Sequence, residues 1–202
     1  MNIFGNETQE QRLVKRLQNG DKAAAREFYA LYGNSLAGVC ARYIDDEEDL
    51  KDVFQNAFVS IFTHIADFKF QGQGSLKAWT TKVMVNESLK FLRKKDRHGL
   101  LLLEDMEEGL SDRLLSHTVD GSNDDMPPVS DIPPDRIRQM LCQLPTGYRT
   151  VLNLYVFEGK SHQEIARLLG IKESSSASQL HRARNLLAKM VRKYNNNNPP
   201  RQ

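Results

Sequence analysis

The residues best suited to chemistry lie between positions 174 and 193, where small and hydrogen-bonding side chains are followed by basic ones. Hydroxyl, amide and imidazole groups can contact base edges and phosphates, and guanidinium groups attract the phosphate backbone. We therefore predict a surface that binds duplex DNA, although an ordinary solvated helix face could have a similar composition. The candidate contacts are Ser175, Ser176, Ser178, Gln179, His181, Arg182 and Arg184.

The elements around this stretch predict a helix-turn-helix. Ser161 and Glu164 have the spacing of a capping box, and Gly170 stands where a helix would end in a left-handed residue. A longer basic helix then begins after Ile171, and two short helices, ending at Pro145 and Gly159, come before. Because the second helix of this motif enters the major groove of DNA, the turn favours DNA binding over a solvated face.

Charge is distributed unevenly along the 202 residues. The chain carries 28 basic and 26 acidic side chains, a net charge of +2. By segment, the net charge is +2 for residues 1–95, −9 for residues 96–135 and +9 for residues 136–202. The last value suits a DNA partner. The middle segment contains several glycines and two proline pairs, which predicts a linker with at most partial order around its leucines at 100–103 and 110–115.

Residues 1–95 predict a helical bundle. Apolar residues recur at helical intervals over 28–43, 50–65 and 76–89, and the acidic run at 45–49 lies where the second of these helices begins. We expect an all-α fold with two small helical domains joined by an acidic flexible linker, the C-terminal one a helix-turn-helix. The predicted boundaries are 1–95, 96–135 and 136–194, with a disordered tail at 195–202.

Other classes of function are excluded by what the sequence lacks. Its five histidines have no ligand spacing, and no phosphate-binding glycine loop or nucleophile motif is present, so we expect no catalytic residue, metal or cofactor. Cys40 and Cys142 lie in apolar surroundings and are expected to be buried free thiols. No apolar run approaches the roughly 18 residues of a membrane span, and the N-terminus lacks an export signal. The expected location is the cytoplasm.

Two parts of the chain resemble one protein family. Residues 141–187 contain the pattern LPxxxRxVLxLxxxEGxSxxEIAxLLGI and a terminal LHRAR, and they resemble the C-terminal domain of bacterial RNA polymerase sigma factors of the extracytoplasmic-function (ECF) group. Residues 49–62, DLKDVFQNAFVSIF, together with residues 68–95, resemble the N-terminal domain of that group. The two matches stand in the order of the family.

The resemblance implies a role in transcription initiation. A sigma factor binds core RNA polymerase, directs it to promoter DNA and helps to melt the minus-ten element, while the polymerase performs the nucleotide chemistry. The helix at 49–62 would dock on the polymerase, and the C-terminal helix would contact the minus-thirty-five element. The acidic linker would thread through a polymerase channel, although a soluble spacer accounts for its charge equally well. The candidate polymerase contacts are Asp49, Asp52, Gln55 and Asn56.

The resemblance also assigns residues 68–95 to the capture of an unpaired promoter base. Gly72 and Gly74 would let the backbone curl around the base, and aromatic or amide side chains would stack on it or bond its edge. For Trp79 we favour packing in the core, because it shares a helical face with Leu76 and Val83. The candidate minus-ten contacts are Phe70, Gln71, Ser75, Lys77, Trp79, Lys82, Asn86 and Lys90.

The chain departs from the family pattern near its predicted recognition helix. Lys172 stands where the family has a small capping residue, so we expect the cap to shift to Ser174. Ala177 and Gln179 occupy positions that are often basic in relatives, which predicts weaker phosphate attraction. The side chain of Gln179 could pair with adenine.

The remaining expectations concern partners and alternatives. Relatives are commonly inhibited by an anti-sigma factor, often anchored in the inner membrane, so we expect such a partner and no direct membrane insertion of this chain. One alternative function is a helix-turn-helix transcriptional regulator that acts independently of the polymerase core. Another is a helical adaptor that binds only protein.

Overall fold

The computed structural model describes residues 7–95, 127 and 129–198. The chain divides into an N-terminal unit, residues 1–92, and a C-terminal unit, residues 93–202. The first contains α1 (Gln9–Gln18), α2 (Lys22–Ala41), α3 (Glu47–His64), a 3-10 turn (Ile65–Asp67) and all but the last three residues of α4 (Ser75–Lys95). The second contains α5 (Pro134–Cys142), α6 (Thr146–Val156), α7 (His162–Leu169) and α8 (Glu173–Asn197). The described residues contain no strand, which confirms the all-α prediction.

Short polar side chains begin the first three helices. Thr8 Oγ1 accepts a hydrogen bond from the Gln11 amide at 3.1 Å, and Asp21 Oδ1 accepts one from the Ala23 amide at 2.7 Å. Asp46 Oδ1 accepts two, from the amides that follow it at 48 and 49. Each cap satisfies amides that have no partner within the helix and contributes about 1 kcal/mol. The acidic run therefore begins α3 as predicted.

Phe28 of α2 lies in the core of the N-terminal unit. Its side chain is fully buried, and its ring centroid lies 5.1–5.9 Å from those of Tyr32, Phe58 and Phe62. Burying a side chain of this size contributes roughly 1.5–3 kcal/mol. Helix α1, which was not predicted, adds three buried apolar residues, Leu13, Val14 and Leu17, to this core.

The two cysteines differ in burial. Cys40 is buried, and Ser88 Oγ donates to its sulfur at 3.9 Å. Burial raises the pKa of the Cys40 thiol to about 11, so the thiol is protonated and a weak nucleophile at neutral pH. Cys142 is half-buried, so the prediction of burial is wrong for it. Both thiols are free, as predicted.

The C-terminal unit extends beyond its predicted boundaries at both ends. Ile132 is buried and packs against Met140 and Val191. Helix α5 begins at Pro134, since a proline at the first helical position loses no hydrogen bond. Helix α8 continues to Asn197, so the first residues of the predicted disordered tail are helical. The predicted linker leucines at 100–103 and 110–115 lie outside the described residues.

None of the helices in the described parts of the chain is long and apolar enough to cross a membrane.

Candidate nucleic-acid interface

Helices α7 and α8 form the predicted helix-turn-helix, and local bonds define the turn between them. Ser161 Oγ accepts the Glu164 amide at 3.2 Å, while the Ser161 amide donates to the Glu164 carboxylate at 2.9 Å. Hydrogen bonds from Ser161, first from its amide, lower the pKa of Glu164. Gly170 ends α7 with φ of 71°, a left-handed conformation that glycine adopts without strain. The capping box and the glycine terminator are therefore confirmed.

Helix α8 begins without a side-chain cap. Lys172 has extended backbone angles and is the N-cap residue, with no side-chain hydrogen bond to the first turn. Ser174 lies inside the helix, so the prediction that the cap shifts to this residue is wrong. Once Lys172 accepts the first helical bond, from the amide of Ser176 at 3.1 Å, the position of Ser174 in the first turn is fixed.

Two of the seven predicted duplex-contacting residues point into the unit, so the prediction of an outward position is wrong for them. Ser176 is fully buried and its hydroxyl lies 3.0 Å from Nδ1 of His162. Gln179 is 3% exposed, and both polar atoms of its side chain lack a hydrogen-bond partner among the described residues. Both positions lie at helical spacings, seven and four residues, from the buried Ala183, so they share its inward face. These spacings could have placed both residues on the inner face from the sequence.

The residues left on the outer face of α8 form a narrower set. Ser178, His181 and Arg184 are exposed, while Ser175 and Arg182 are half-buried. Asn185 was not predicted; its amide nitrogen lies 3.0 Å from Nε2 of His181. Spacings of seven and four residues from Ser178 and His181 could have identified Asn185 from the sequence. The surface formed by these three exposed residues together with Asn185 is called the α8 outer face below.

Arg182 also contributes to the packing of the C-terminal unit. Its Nη1 donates to the hydroxyl of Tyr148 in α6 at 3.3 Å, and the Tyr148 side chain is 1% exposed. Arg184, two residues after Arg182, is exposed and lies on a different side of the helix from this contact. Loss of Arg182 would therefore affect folding as well as charge, whereas loss of Arg184 affects mainly charge.

The buried amide of Gln179 predicts a separation of stability from DNA binding. Replacing Gln179 with Met removes two buried polar atoms without partners, each of which costs roughly 1–3 kcal/mol, and nearly conserves volume. We expect Gln179→Met to stabilise the chain by about 1 kcal/mol in chemical denaturation, with promoter-duplex affinity within twofold of wild type. Ser178→Ala, on the α8 outer face, is the matched control and should weaken duplex binding without stabilising the fold. A large loss of duplex affinity in Gln179→Met would return this residue to the interface.

The predicted base-capture residues lie on the loop at 68–74 and on α4. Trp79, Lys82, Asn86 and Lys90 follow at intervals of three and four, so they share one face of α4. The last three are exposed, and Lys90 is 3.5 Å from Glu87 in a surface ion pair. Lys77 is exposed but lies two positions from Trp79, which puts it on a different face.

The loop itself is compact and partly shielded. Gly72 and Gly74 have φ of 122° and 87°, values that residues with a side chain rarely adopt. Gln71 is exposed, Phe70 and Ser75 are half-buried, and the Gln71 amide donates to Ser75 Oγ at 3.3 Å. Ser75, the first residue of α4, is thus bonded to the loop.

Trp79 packs inside its own unit. It is half-buried, and its ring centroid lies 4.9 Å from that of Phe68 at the start of the loop. This contact agrees with the favoured alternative of packing, and a base could stack only on the part of the indole that remains accessible.

The predicted polymerase-contacting residues lie along one side of α3. Asp52, Gln55 and Asn56 are exposed and Asp49 is half-buried at the first turn. Val59, which was not predicted, lies on the same side four residues after Gln55 and is 65% exposed.

No cluster of metal-ligating side chains occurs in the described parts of the chain. His162 is half-buried, and its ring stacks on Tyr155 with a centroid separation of 4.9 Å. Its ring position between α6 and the start of α8 explains its burial.

Two family patterns match the chain in the regions just described. Sigma-70 region 2 matches residues 28–98, and sigma-70 region 4 matches residues 135–187. The first spans α2 to α4 and the second spans α5 to most of α8. The chain belongs to the ECF group of sigma factors.

Curated relatives align with this sigma factor over most of its length. The RNA polymerase sigma-H factor of Pseudomonas aeruginosa is 27% identical over 91% of this chain and 94% of its own. The ECF RNA polymerase sigma-E factor of Haemophilus influenzae is 26% identical over 90% of this chain and 95% of its own. The ECF RNA polymerase sigma factor SigW of Bacillus subtilis is 28% identical over 89% and 95%. The solved structure of CnrH in complex with the cytosolic domain of CnrY has 21% identity and a TM-score of 0.47, covering 90% of this chain and 96% of CnrH.

Proposed function

We propose that this sigma factor binds core RNA polymerase, directs it to specific promoters and promotes strand opening for transcription initiation. The observation that carries the proposal is the order of two matched regions, region 2 and then region 4, each with polar or basic side chains exposed on a helix. A regulator that acts without polymerase would need only the second. The helix-turn-helix regulator and the protein-only adaptor are therefore not favoured.

Reconstituted transcription tests this function directly. Purified full-length chain is added to core RNA polymerase and a library of promoter fragments, and the transcripts are sequenced. We expect initiation from a subset that shares sequence upstream of the start site. Duplex binding without core polymerase and without initiation would favour the regulator, and neither duplex binding nor initiation would favour the adaptor.

We further propose a division of labour among the predicted residues. The exposed side of α3, with Asp52, Gln55 and Asn56, would contact the polymerase. The loop at 68–74 and the α4 face with Lys82, Asn86 and Lys90 would contact the minus-ten element. The α8 outer face would contact the minus-thirty-five element, where hydroxyl, imidazole and amide groups suit base edges and phosphates. Domain boundaries are proposed at 1–95 and 132–197, with residues 96–131 as the acidic linker.

This function needs no catalytic residue, metal or cofactor of the chain's own, since the nucleotide chemistry belongs to the polymerase. It would act in the cytoplasm, where transcription takes place. Membership of the ECF group supports an anti-sigma factor as a third partner. Such a partner would compete with polymerase for the exposed side of α3 and with promoter DNA for the α8 outer face.

Arg184 gives the cleaner test of phosphate contact. Arg184→Ala should weaken binding to a minus-thirty-five duplex and reduce the slope of log affinity against log salt by about 0.9, because one phosphate contact is lost. Arg182→Ala should change the slope similarly but also lower the unfolding midpoint, because Arg182 is bonded to Tyr148. Fluorescence anisotropy across a salt series, with denaturant unfolding alongside, measures both. An unchanged slope in Arg184→Ala would remove Arg184 from the interface.

A further inference from the structure

Glu10 of α1 is a buried carboxylate with partners far away in sequence. It is 4% exposed; its Oε2 accepts the Gly74 amide at 2.5 Å, and its Oε1 accepts the Leu76 amide at 2.7 Å. A buried charge is costly unless hydrogen bonds compensate it, and here two amides and the positive end of the α4 dipole do so. The start of helix α4 is therefore capped by a side chain of α1.

Gln18 makes the corresponding contact at the other end of the loop. Its Nε2 donates to the Ile65 carbonyl at 3.1 Å and to the Phe68 carbonyl at 2.9 Å. Glu10 and Gln18 are separated by about 12 Å along a rigid helix. Both ends of the loop at 68–74 are thus attached to α1.

The residues proposed to capture a base lie between these two attachments. Phe70 and Gln71 occupy the loop, and Gly72 and Gly74 adopt positive φ values of 122° and 87°. Glycine has the widest choice of backbone conformations, so two of them raise the entropy cost of ordering the loop, and the bonds to α1 help to offset that cost. A loop already held in one conformation loses less entropy when it binds a ligand.

We propose that Glu10 and Gln18 are positioning residues for base capture, because they hold the loop at 68–74 and the first turn of α4 in the conformation that receives the base. The inference rests on the proposed function of that loop. Loss of the restraint would lower the fraction of molecules in the competent conformation, and the apparent affinity for the unpaired strand would fall by the same factor.

The test uses holoenzyme assembled from the full-length chain and core polymerase. The probe is a fluorescent single-stranded oligonucleotide with the non-template minus-ten sequence of a promoter found in the transcription experiment. An abasic scan with wild-type holoenzyme first identifies the captured position. The readout is the ratio of affinities for the intact and the abasic oligonucleotide, because a general loss of stability lowers both affinities without changing their ratio.

We expect Glu10→Gln to weaken binding of the intact oligonucleotide by about tenfold and to reduce the ratio towards one, with core polymerase affinity unchanged. Gln18→Ala, at a half-buried position, should lower the same affinity and the same ratio by a smaller factor. This variant stays informative if Glu10→Gln folds poorly. Val14→Ala is the matched control, since Val14 is buried on the same helix and is not among the residues bonded to the loop. It should lower stability and leave the ratio unchanged.

Unchanged ratios in both Glu10→Gln and Gln18→Ala would overturn the inference while leaving the proposed function standing. An equal fall of the ratio in Val14→Ala would also overturn it, because a merely structural role would then explain the loss. Wild-type holoenzyme that shows no base-dependent affinity for any minus-ten strand would instead overturn the proposed function of the loop.

Discussion

Asn86→Ala is expected to reduce promoter opening by about 5- to 150-fold without changing the affinity for core polymerase. A side-chain amide that bonds a base edge contributes roughly 1–3 kcal/mol, which converts to that range. Asn86 is exposed on the face of α4 that also carries Lys82 and Lys90, so its removal leaves no cavity in the core. Permanganate reactivity of unpaired thymines in the promoter measures the opened fraction.

The control for this variant is Asn34→Ala. Asn34 is another exposed asparagine, on α2 of the same unit and outside the proposed interface, so the two substitutions change helix propensity alike. It should leave opening unchanged. If the permanganate footprints of Asn86→Ala matched those of Asn34→Ala and wild type, Asn86 would have no role in strand opening.

The helices could be predicted from the sequence because their signals are local. The acidic run at 45–49, the capping box of Ser161 and the glycine at 170 each act within one turn of the helix end that they define. The resemblance to sigma factors rests on the same strongly patterned segments. The resemblance therefore covers α3, α4 and the helices from α5 to α8, and it does not include α1.

The contacts that sequence reasoning missed join residues far apart in the chain. The bond between Glu10 and Leu76 spans 66 residues, and Gln18 contacts a carbonyl 50 residues away. No periodicity indicates such a pair, since each residue is an ordinary polar position in its own helix. Ser176 and Gln179 were misplaced for a different reason: their polarity suggested an outer face, whereas their spacing from Ala183 predicts the inner one.

Arg149→Ala is expected to destabilise the C-terminal unit by roughly 2–4 kcal/mol. Among the described residues, Arg149 is the largest fully buried side chain, at 2% exposure, and its Nη1 donates to the carbonyl of Cys142, the last residue of α5, at 2.9 Å. Carbonyls at a helix end lack intrahelical partners, and a positive charge is favourable there. Truncation would remove the guanidinium donor to this carbonyl and would leave a cavity in the core. Chemical denaturation followed by circular dichroism measures the loss.

The same substitution should also abolish minus-thirty-five binding at physiological temperature, because α8 packs on α6 and the Arg182 contact uses Tyr148, the neighbour of Arg149. Arg138→Ala, on the exposed surface of α5, is the matched control and should change stability by less than about 0.5 kcal/mol. Arg149→Met retains most of the apolar stem and should recover part of the packing. If Arg149→Ala unfolded at the same denaturant concentration as Arg138→Ala, the buried guanidinium would not hold α5 against α6. The orientation of the recognition helix would then depend on the apolar core alone.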